Sequence, residues 1–274
     1  MTIPGRLVLL GHPVAHSLSP VMQNAALEAA DMPLRYEALD VRPEDLSRTF
    51  DALATGRAAG NVTFPHKEAA GRLMTRLSPT ASRVRAINTF QTSDAGDLIG
   101  DNTDVAGFTA LARFALGEIP GMARVAVIGA GGAAAAVLAS VETWKDSRVT
   151  VYARRLDAAR DLVERFKSFA RAESLSLDKP LDCDIVVNAT TIGLDDDTLP
   201  LPLELLPQTA VALDLVYRPG ETAWVRAARA SGRAASDGLP MLVEQGAASF
   251  EIWFGVAPER EAMWKAVRGA VAQA

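Results

Sequence analysis

The stretch that decides the fold is Val125-Ala126-Val127-Ile128-Gly129-Ala130-Gly131-Gly132-Ala133-Ala134. An apolar, β-branched run of strand length leads into a glycine-rich turn, and the alanine-rich residues 133–139 follow it. Strand, Gly-x-Gly turn and helix, in that order, are the context a dinucleotide-binding fingerprint requires. Gly129 permits the tight turn. Gly131 lets the backbone approach a pyrophosphate, and Ala134 takes the third position, where close helix–sheet packing tolerates alanine. The free amides that open the helix, beginning at Gly132, would then face the phosphates. A glycine-rich turn on its own is often only a turn; here the flanking strand and helix favour the cofactor reading.

The end of the next strand chooses between the two nicotinamide dinucleotides. An acidic side chain there would bind a ribose 2′-hydroxyl, whereas arginine accommodates a 2′-phosphate. The residues are Ala153-Arg154-Arg155, with no carboxylate before Asp157. Two forked guanidinium groups suit a phosphate. The alternative is a pair of solvated loop arginines, but their place at the diagnostic strand end points to NADP(H).

Outward from this unit, strand-like runs keep alternating with helix-like runs. Strands are expected over 6–10, 35–41, 60–64, 86–92, 124–128, 148–152, 184–188 and 211–216. Helices are expected over 20–30, 43–54, from near Pro65, after Asp104 to about Phe114, and over 156–170, 221–230, 242–254 and 259–272. This alternation is α/β architecture. The chain has 274 residues, which suits two smaller domains better than one core. No repeat or low-complexity linker marks a boundary, so motifs place it near Asp104 and again near Gly238. That gives a discontinuous domain of residues 1–104 with 238–274, and a continuous one of residues 105–237.

Composition narrows the function. Apolar residues make up 49% of the chain and the net charge is −5, with both signs mixed and no basic face, which argues against a nucleic-acid partner. The apolar run from Met1 to Leu10 lacks a basic start, and no stretch approaches the roughly 20 apolar residues of a membrane helix. A cytoplasmic protein without a membrane partner is expected. The single cysteine, Cys183, excludes an internal disulfide and a cysteine zinc site; it reads as a buried strand residue. His12, His16 and His66 complete no ligand set with it, so no metal is expected.

Hydride transfer needs a group that moves a proton to or from the substrate oxygen. The Tyr-x-x-x-Lys pair of one large reductase class is absent, because Tyr36, Tyr152 and Tyr217 are followed four residues later by Asp40, Leu156 and Glu221. Lys67 follows Thr63-Phe64-Pro65-His66 in the first turn of a helix, where the helix field disfavours a cation and eases loss of its proton. It is either a solvated lysine or a proton-transfer group, and position alone leaves both open. Asp104 reads as a helix N-cap that could also serve a site. Ser17 and Ser19 bracket Leu18 just before Pro20; Ser19 reads as an N-cap, and the pair with the free amides makes a ready carboxylate site.

Taken together, these motifs resemble those of the shikimate dehydrogenase family over most of the chain. Residues 11–20, Gly11-His12-Pro13-Val14-Ala15-His16-Ser17-Leu18-Ser19-Pro20, look like its N-terminal serine motif. Gly60-Asn61-Val62-Thr63-Phe64-Pro65-His66-Lys67-Glu68 looks like its catalytic-lysine segment. Ala86-Ile87-Asn88-Thr89, Gly100-Asp101-Asn102-Thr103-Asp104, Asn188-Ala189-Thr190 with Gly193, Asp214-Leu215-Val216-Tyr217 and Gly238-Leu239-Pro240-Met241-Leu242-Val243-Glu244-Gln245 match further segments in order.

The resemblance implies a discontinuous α/β substrate domain plus a Rossmann-type NADP-binding domain, with a cleft between them. It implies NADP-dependent interconversion of 3-dehydroshikimate and shikimate by a monomer or homodimer. Lys67 and Asp104 would be the catalytic pair. Ser17 and Ser19, with Tyr217 close by, would bind the substrate carboxylate, and Thr63, Asn88 and Gln245 its ring hydroxyls. Gly129, Gly131, Gly132, Ala133, Arg154, Arg155, Thr190 and Gly238 would hold NADP(H), with Met241 near the nicotinamide. The chain departs from the family pattern at Gln23, Val105, Ala153, Arg155 and Ala158, which bears on NADP affinity and leaves the catalytic pair untouched. Two rival readings remain: a quinate/shikimate dehydrogenase that uses NAD, and a cofactor-binding sensor without turnover.

Overall fold

The computed structural model describes residues 3–174 and 179–273. The first two residues of the apolar run from Met1 to Leu10 lie outside the described residues. The chain divides into two compact units, Met1–Gly107 with Leu242–Ala274, and Phe108–Met241.

The first unit is built on β1 (Arg6–Gly11), α1 (Ser19–Ala29), β2 (Tyr36–Asp40), α2 (Leu46–Thr55), β3 (Ala58–Val62), α3 (Lys67–Gly71), β4 (Arg76–Leu77), α4 (Pro79–Val84), β5 (Thr89–Thr92) and β6 (Leu98–Asp101). Its six-stranded sheet has the order β2-β1-β3-β5-β6-β4. β1 pairs in parallel with β2 and β3, whereas β5 is antiparallel to both β3 and β6. So β1, β3 and β6 run one way and β5 runs back. Their ends and its start therefore share one edge of the sheet, and this is what gathers the candidate residues.

Gly60 sits in the middle of β3, where a Cβ would come within 2.0 Å of the Val8 carbonyl oxygen. Only glycine allows the two strands to pair there. The core of this unit includes Val8, Leu10, Phe50, Val62, Ile87 and Phe90, with the Phe50 and Phe90 rings edge to face at 5.1 Å. Such a pair adds about 0.5–1.5 kcal/mol beyond simple burial.

The chain leaves this unit within α5 (Asp104–Leu116). The second unit follows with β7 (Arg124–Ile128), α6 (Gly132–Val141), β8 (Arg148–Ala153), α7 (Leu156–Glu164), β9 (Ala170–Ser174), β10 (Ile185–Asn188), β11 (Val211–Asp214), α8 (Ala223–Ala230) and β12 (Ala235–Ser236). All its strand pairs are parallel, in the order β12-β11-β10-β7-β8-β9. Counted from β7, this is the doubly wound 3-2-1-4-5-6 order, and the order reverses between β7 and β10. The chain returns to the first unit within α9 (Leu239–Phe254) and ends on α10 (Arg260–Gln273).

Several expectations change. The helix expected over 156–170 stops at Glu164, because Phe166 is buried against Phe169 in a turn and Ala170 begins β9 beside Val149. The strand expected over 86–92 is ordered as β5 only from Thr89; Ile87 and Asn88 instead bond across to Lys67 and Asp101 through their amides. Strands β4, β6, β9 and β12 and helix α4 carry no clear sequence signal. Cys183 is buried and free, as its apolar run suggests, and burial pushes its thiol up to about 12. A thiol held protonated in this way is unreactive.

Candidate active site

The first unit assembles the candidate chemistry at the shared sheet edge. Ser17 and Ser19 follow β1, Thr63 and Lys67 follow β3, Asn88 precedes β5, and Asp104 follows β6. The strand ends are stitched together by backbone and ring contacts. The His12 amide donates to the Phe64 carbonyl, the Val41 amide to that of Gly11, and the Thr63 amide to that of Leu10. Gly11 makes room for Thr63, whose methyl would lie 2.5 Å from a Cβ built there. Buried His66 places Nε2 2.6 Å from the Val41 carbonyl oxygen.

Lys67 Nζ donates to Asp104 Oδ2 at 2.5 Å, with the lysine side chain 22% exposed and the carboxylate 5%. The Lys67 carbonyl is anchored by the Ile87 amide. Helix α3 has five residues, too short for much field, so the partner that matters to Lys67 is the carboxylate and not the helix terminus. Asn88 Nδ2 donates to Asp104 Oδ1 at 2.8 Å, so both carboxylate oxygens are engaged. The same amide nitrogen lies 3.2 Å from Gln245 Oε1 and 2.9 Å from Thr103 Oγ1, while Asn88 Oδ1 accepts from the Thr103 amide at 2.7 Å. Lys67, Asp104, Asn88 and Gln245 thus form one hydrogen-bonded cluster.

Behind it runs a buried polar chain whose roles the sequence does not signal. Thr103 Oγ1 lies 3.1 Å from Ser249 Oγ; Asn61 Nδ2 donates to Ser249 Oγ at 2.8 Å; Tyr36 Oη donates to Asn61 Oδ1 at 2.8 Å. Asn61 and Thr103 lie inside quoted motifs, and Ser249 falls one helical turn after Gln245. Those spacings are the available signal. Gln23, noted above as a departure, donates to the Gly246 carbonyl at 2.9 Å.

Two capping expectations are corrected. Ser19 is the first residue of α1, not its cap; its amide donates to Ser17 Oγ at 3.2 Å, so Ser17 supplies the acceptor. Asp104 likewise begins α5, and its carboxylate is used by Lys67 and Asn88.

In the second unit the reversal point of the sheet carries the glycine turn. Gly129 has φ +114°, and a Cβ there would meet the Ala189 carbonyl oxygen at 2.8 Å and Thr190 Cγ2 at 3.0 Å. Glycine is therefore needed both for the backbone angle and for the close approach of the β7 and β10 ends. A Cβ at Gly131, by contrast, would meet nothing within 4 Å. Gly131 caps α6 without a side-chain acceptor, leaving the first-turn amides of Gly132 and Ala133 for another group. An open cradle at a ten-residue helix start fits a pyrophosphate. Arg154 and Arg155 stand exposed at the end of β8, and among the described residues neither has an ion-pair partner.

Thr190 donates from its amide and hydroxyl to Asn188 Oδ1, at 3.1 and 2.7 Å. Tyr217 is half-buried just after β11. Gly238 is buried, and a Cβ there would lie 2.4 Å from the Leu215 carbonyl oxygen; Met241 is buried three residues on. Replacing Gly129 with alanine should cost roughly 1–3 kcal/mol in backbone strain and weaken NADP+ binding at least tenfold. Calorimetric titration checks this, and parental affinity would remove the turn from the cofactor site.

Asp214 is fully buried at the end of β11. Burial is the main cause that pushes its carboxyl up to about 6, against the hydrogen bonds from Thr222, Val216 and Asn188 that favour the charged form. The folded protein therefore holds this proton where the unfolded chain, at 3.8, has lost it. The stability this contributes is present at the acid end of that window and is lost as pH rises through about 6. Asp214→Asn cannot lose it. Relative to the parent, the variant should gain on the order of 3 kcal/mol between pH 4 and pH 7. Denaturant unfolding across that range tests the sign, and a pH-independent difference would contradict it.

Among the described residues no helix is long and apolar enough to cross a membrane, and no cluster of three metal-ligating side chains occurs. Residues 9–90 match the family model of the shikimate dehydrogenase substrate binding domain, and residues 238–268 that of the shikimate 5′-dehydrogenase C-terminal domain. Shikimate dehydrogenase (NADP(+)) of Thermus thermophilus is 40% identical over 272 residues, covering 97% of this chain and 98% of the relative. That of Methanocella arvoryzae is 41% identical over 280 residues, covering 99% and 100%. The crystal structure of shikimate 5-dehydrogenase from Thermus thermophilus in complex with NADP(H) and shikimate, 40% identical, superposes with a TM-score of 0.86, covering 97% of this chain and 99% of that one. With near-complete relatives at this identity and the expected two-unit α/β fold, the chain belongs to the shikimate dehydrogenase family.

Proposed function

We propose that the protein is an NADP-dependent oxidoreductase that interconverts 3-dehydroshikimate and shikimate. The observation that carries this reading is the 2.5 Å contact between Lys67 and Asp104 at the strand-end edge, inside a family whose relatives bear that activity by name. NADP(H), when bound, supplies or accepts the hydride. Gly129, Gly131, Gly132, Ala133, Thr190, Gly238 and Met241 would hold it, with Arg154 and Arg155 on the 2′-phosphate.

The chain's own part is proton handling and orientation. In the reductive direction Lys67 Nζ gives its proton to the oxygen that forms from the ring ketone. Asp104, fixed by Asn88, aims the ammonium and takes a ring hydroxyl as donor. Thr63, Asn88 and Gln245 hold ring hydroxyls, and Ser17 and Ser19 bind the carboxylate with Tyr217. In this reading residues 1–104 with 238–274 form the substrate domain and residues 105–237 the NADP domain. A monomer or homodimer in the cytoplasm goes with this reading.

The test is oxidation of shikimate by the purified protein with NADP+, followed by nicotinamide absorbance, with NAD+ and quinate as parallel arms. Turnover confined to shikimate and NADP+ is expected. Comparable turnover of quinate with NAD+ would move the protein to the broader dehydrogenases. Binding of NADP+ without turnover would make it a sensor.

A further inference from the structure

Asp214 is bound to two turns that leave the same sheet edge. Its Oδ1 accepts from Asn188 Nδ2 at 2.8 Å and from the Val216 amide at 3.1 Å, and its Oδ2 accepts from Thr222 Oγ1 at 2.7 Å. Asn188 turns the same contact outward. Its Nδ2 also donates to the Ile192 carbonyl at 3.1 Å, its Oδ1 holds Thr190, and Thr190 Oγ1 in turn accepts the Ile192 amide at 3.1 Å. The Leu215 amide closes the arrangement by donating to the Asn188 carbonyl at 3.0 Å. On the other side, Thr222 Oγ1 accepts the Val225 amide and so caps α8. One carboxylate therefore ties the turn bearing Thr190, beside Gly129, to the turn bearing Tyr217 and to a helix start.

We propose that Asp214 is a positioning residue that couples the Thr190 turn to the Tyr217 turn, so that the dinucleotide-facing and substrate-facing contacts of this unit are set by one buried group. The proposal rests on the functional reading of Thr190 and Tyr217 given above. Asp214 touches neither ligand; it acts through Asn188 and Val216. Among the described residues Asn188, Asp214 and Thr222 are fully buried at these strand ends; Asp237, just after β12, is the neighbouring buried carboxyl, and its Oδ1 accepts from the Leu239 amide and from neither turn. A buried carboxylate missing one donor is costly, so each bond is expected to matter well beyond its own site.

The isosteric change has a distinct signature. In Asp214→Asn the side-chain oxygen still accepts from Asn188 and Val216. Its NH2 now donates to Thr222 Oγ1, which has a free lone pair besides the one used by Val225. The contacts survive with one bond reversed, at the cost of the acceptor that the buried Thr222 hydroxyl hydrogen had in Asp214 Oδ2.

The experiment compares Thr222→Val, Asp214→Ala and Asp214→Asn by calorimetric titration with NADP+ in the absence of substrate. Thr222→Val keeps the shape and removes the donor to Asp214 together with the acceptor that caps α8, both far along the chain from Thr190. It should weaken NADP+ about 3- to 10-fold, folded Asp214→Ala more than 10-fold, and Asp214→Asn should recover affinity to within about threefold of the parent. Unchanged affinity in Thr222→Val would overturn the coupling whether or not Asp214→Ala folds. Hydrogen exchange at the Thr190 and Ile192 amides, read without any ligand, separates the two ideas. Faster exchange in Thr222→Val supports the coupling even if the parent binds no NADP+, and unchanged exchange defeats it.

Discussion

Lys67→Ala should lower turnover by about 10²- to 10⁴-fold while leaving the KM for shikimate within a few-fold of the parent. The size follows from the role: a positioned acid or base acts on the transition state, so its loss falls on kcat and not on ground-state binding. Lys67 sits at the mouth of the cluster, 22% exposed, where a substrate oxygen can reach it, whereas Asp104 is enclosed. A second effect must be separated from the first. Removing the ammonium leaves the Asp104 carboxylate buried with Asn88 as its named donor, and an orphaned buried charge destabilises. Lys67→Met, which keeps the apolar stem, should lose the same turnover with less packing loss, and Asp104→Asn should leave the lysine without its counter-ion. Thermal unfolding run beside the kinetics separates chemistry from folding. A variant at position 67 with near-parental kcat would sink the assignment.

Removing both guanidinium groups, as Arg154→Ala with Arg155→Ala, should weaken NADP+ roughly 30- to 100-fold and leave NAD+ affinity nearly unchanged. Charge-assisted hydrogen bonds to a phosphate are worth about 1.5–3 kcal/mol each, and at an exposed site solvent takes part of that. The expected loss therefore corresponds to one full bond, not two. It should shrink as ionic strength rises, because exposed charges are screened. The single variants divide the effect: if Arg154 carries the main contact, Arg154→Ala alone should account for most of it. Equal losses for NADP+ and NAD+ would place the arginines elsewhere than on the 2′-phosphate.

Much of this is legible without coordinates. The Gly129 turn, the strand before it and the helix after it are local features, and local sequence specifies them. Lys67 and Asp104 can be singled out because a charge beside an apolar strand end has few structural uses. Their contact cannot, because it depends on β3 and β6 running the same way with β5 between them. The polar chain through Asn61, Thr103, Ser249 and Tyr36 is hidden for a related reason. Each member looks like an ordinary residue of a strand, turn or helix, and only tertiary packing shows that they share one buried line. Strand β9 is masked by the helical spacing that precedes it, since Ala170–Ser174 lacks the β-branched residues that mark a strand. Ser19 resembles a cap by its place before Pro20, yet Ser17, two residues earlier, offers the oxygen that its amide uses.

Gln245 and Ser249 are made late. Asn88 and Asp104 leave the ribosome well before α9 does; at 5–20 residues per second, the wait is roughly 7–30 s. During it, residues 108–241 can close their own parallel sheet, because every strand of that sheet lies within the segment. The earlier unit must meanwhile keep Asn61 and Thr103 without Ser249, their buried partner. The nascent N-terminal half is therefore the part most open to holdase chaperones, and chains truncated before residue 242 should leave it incomplete while the middle segment is already folded.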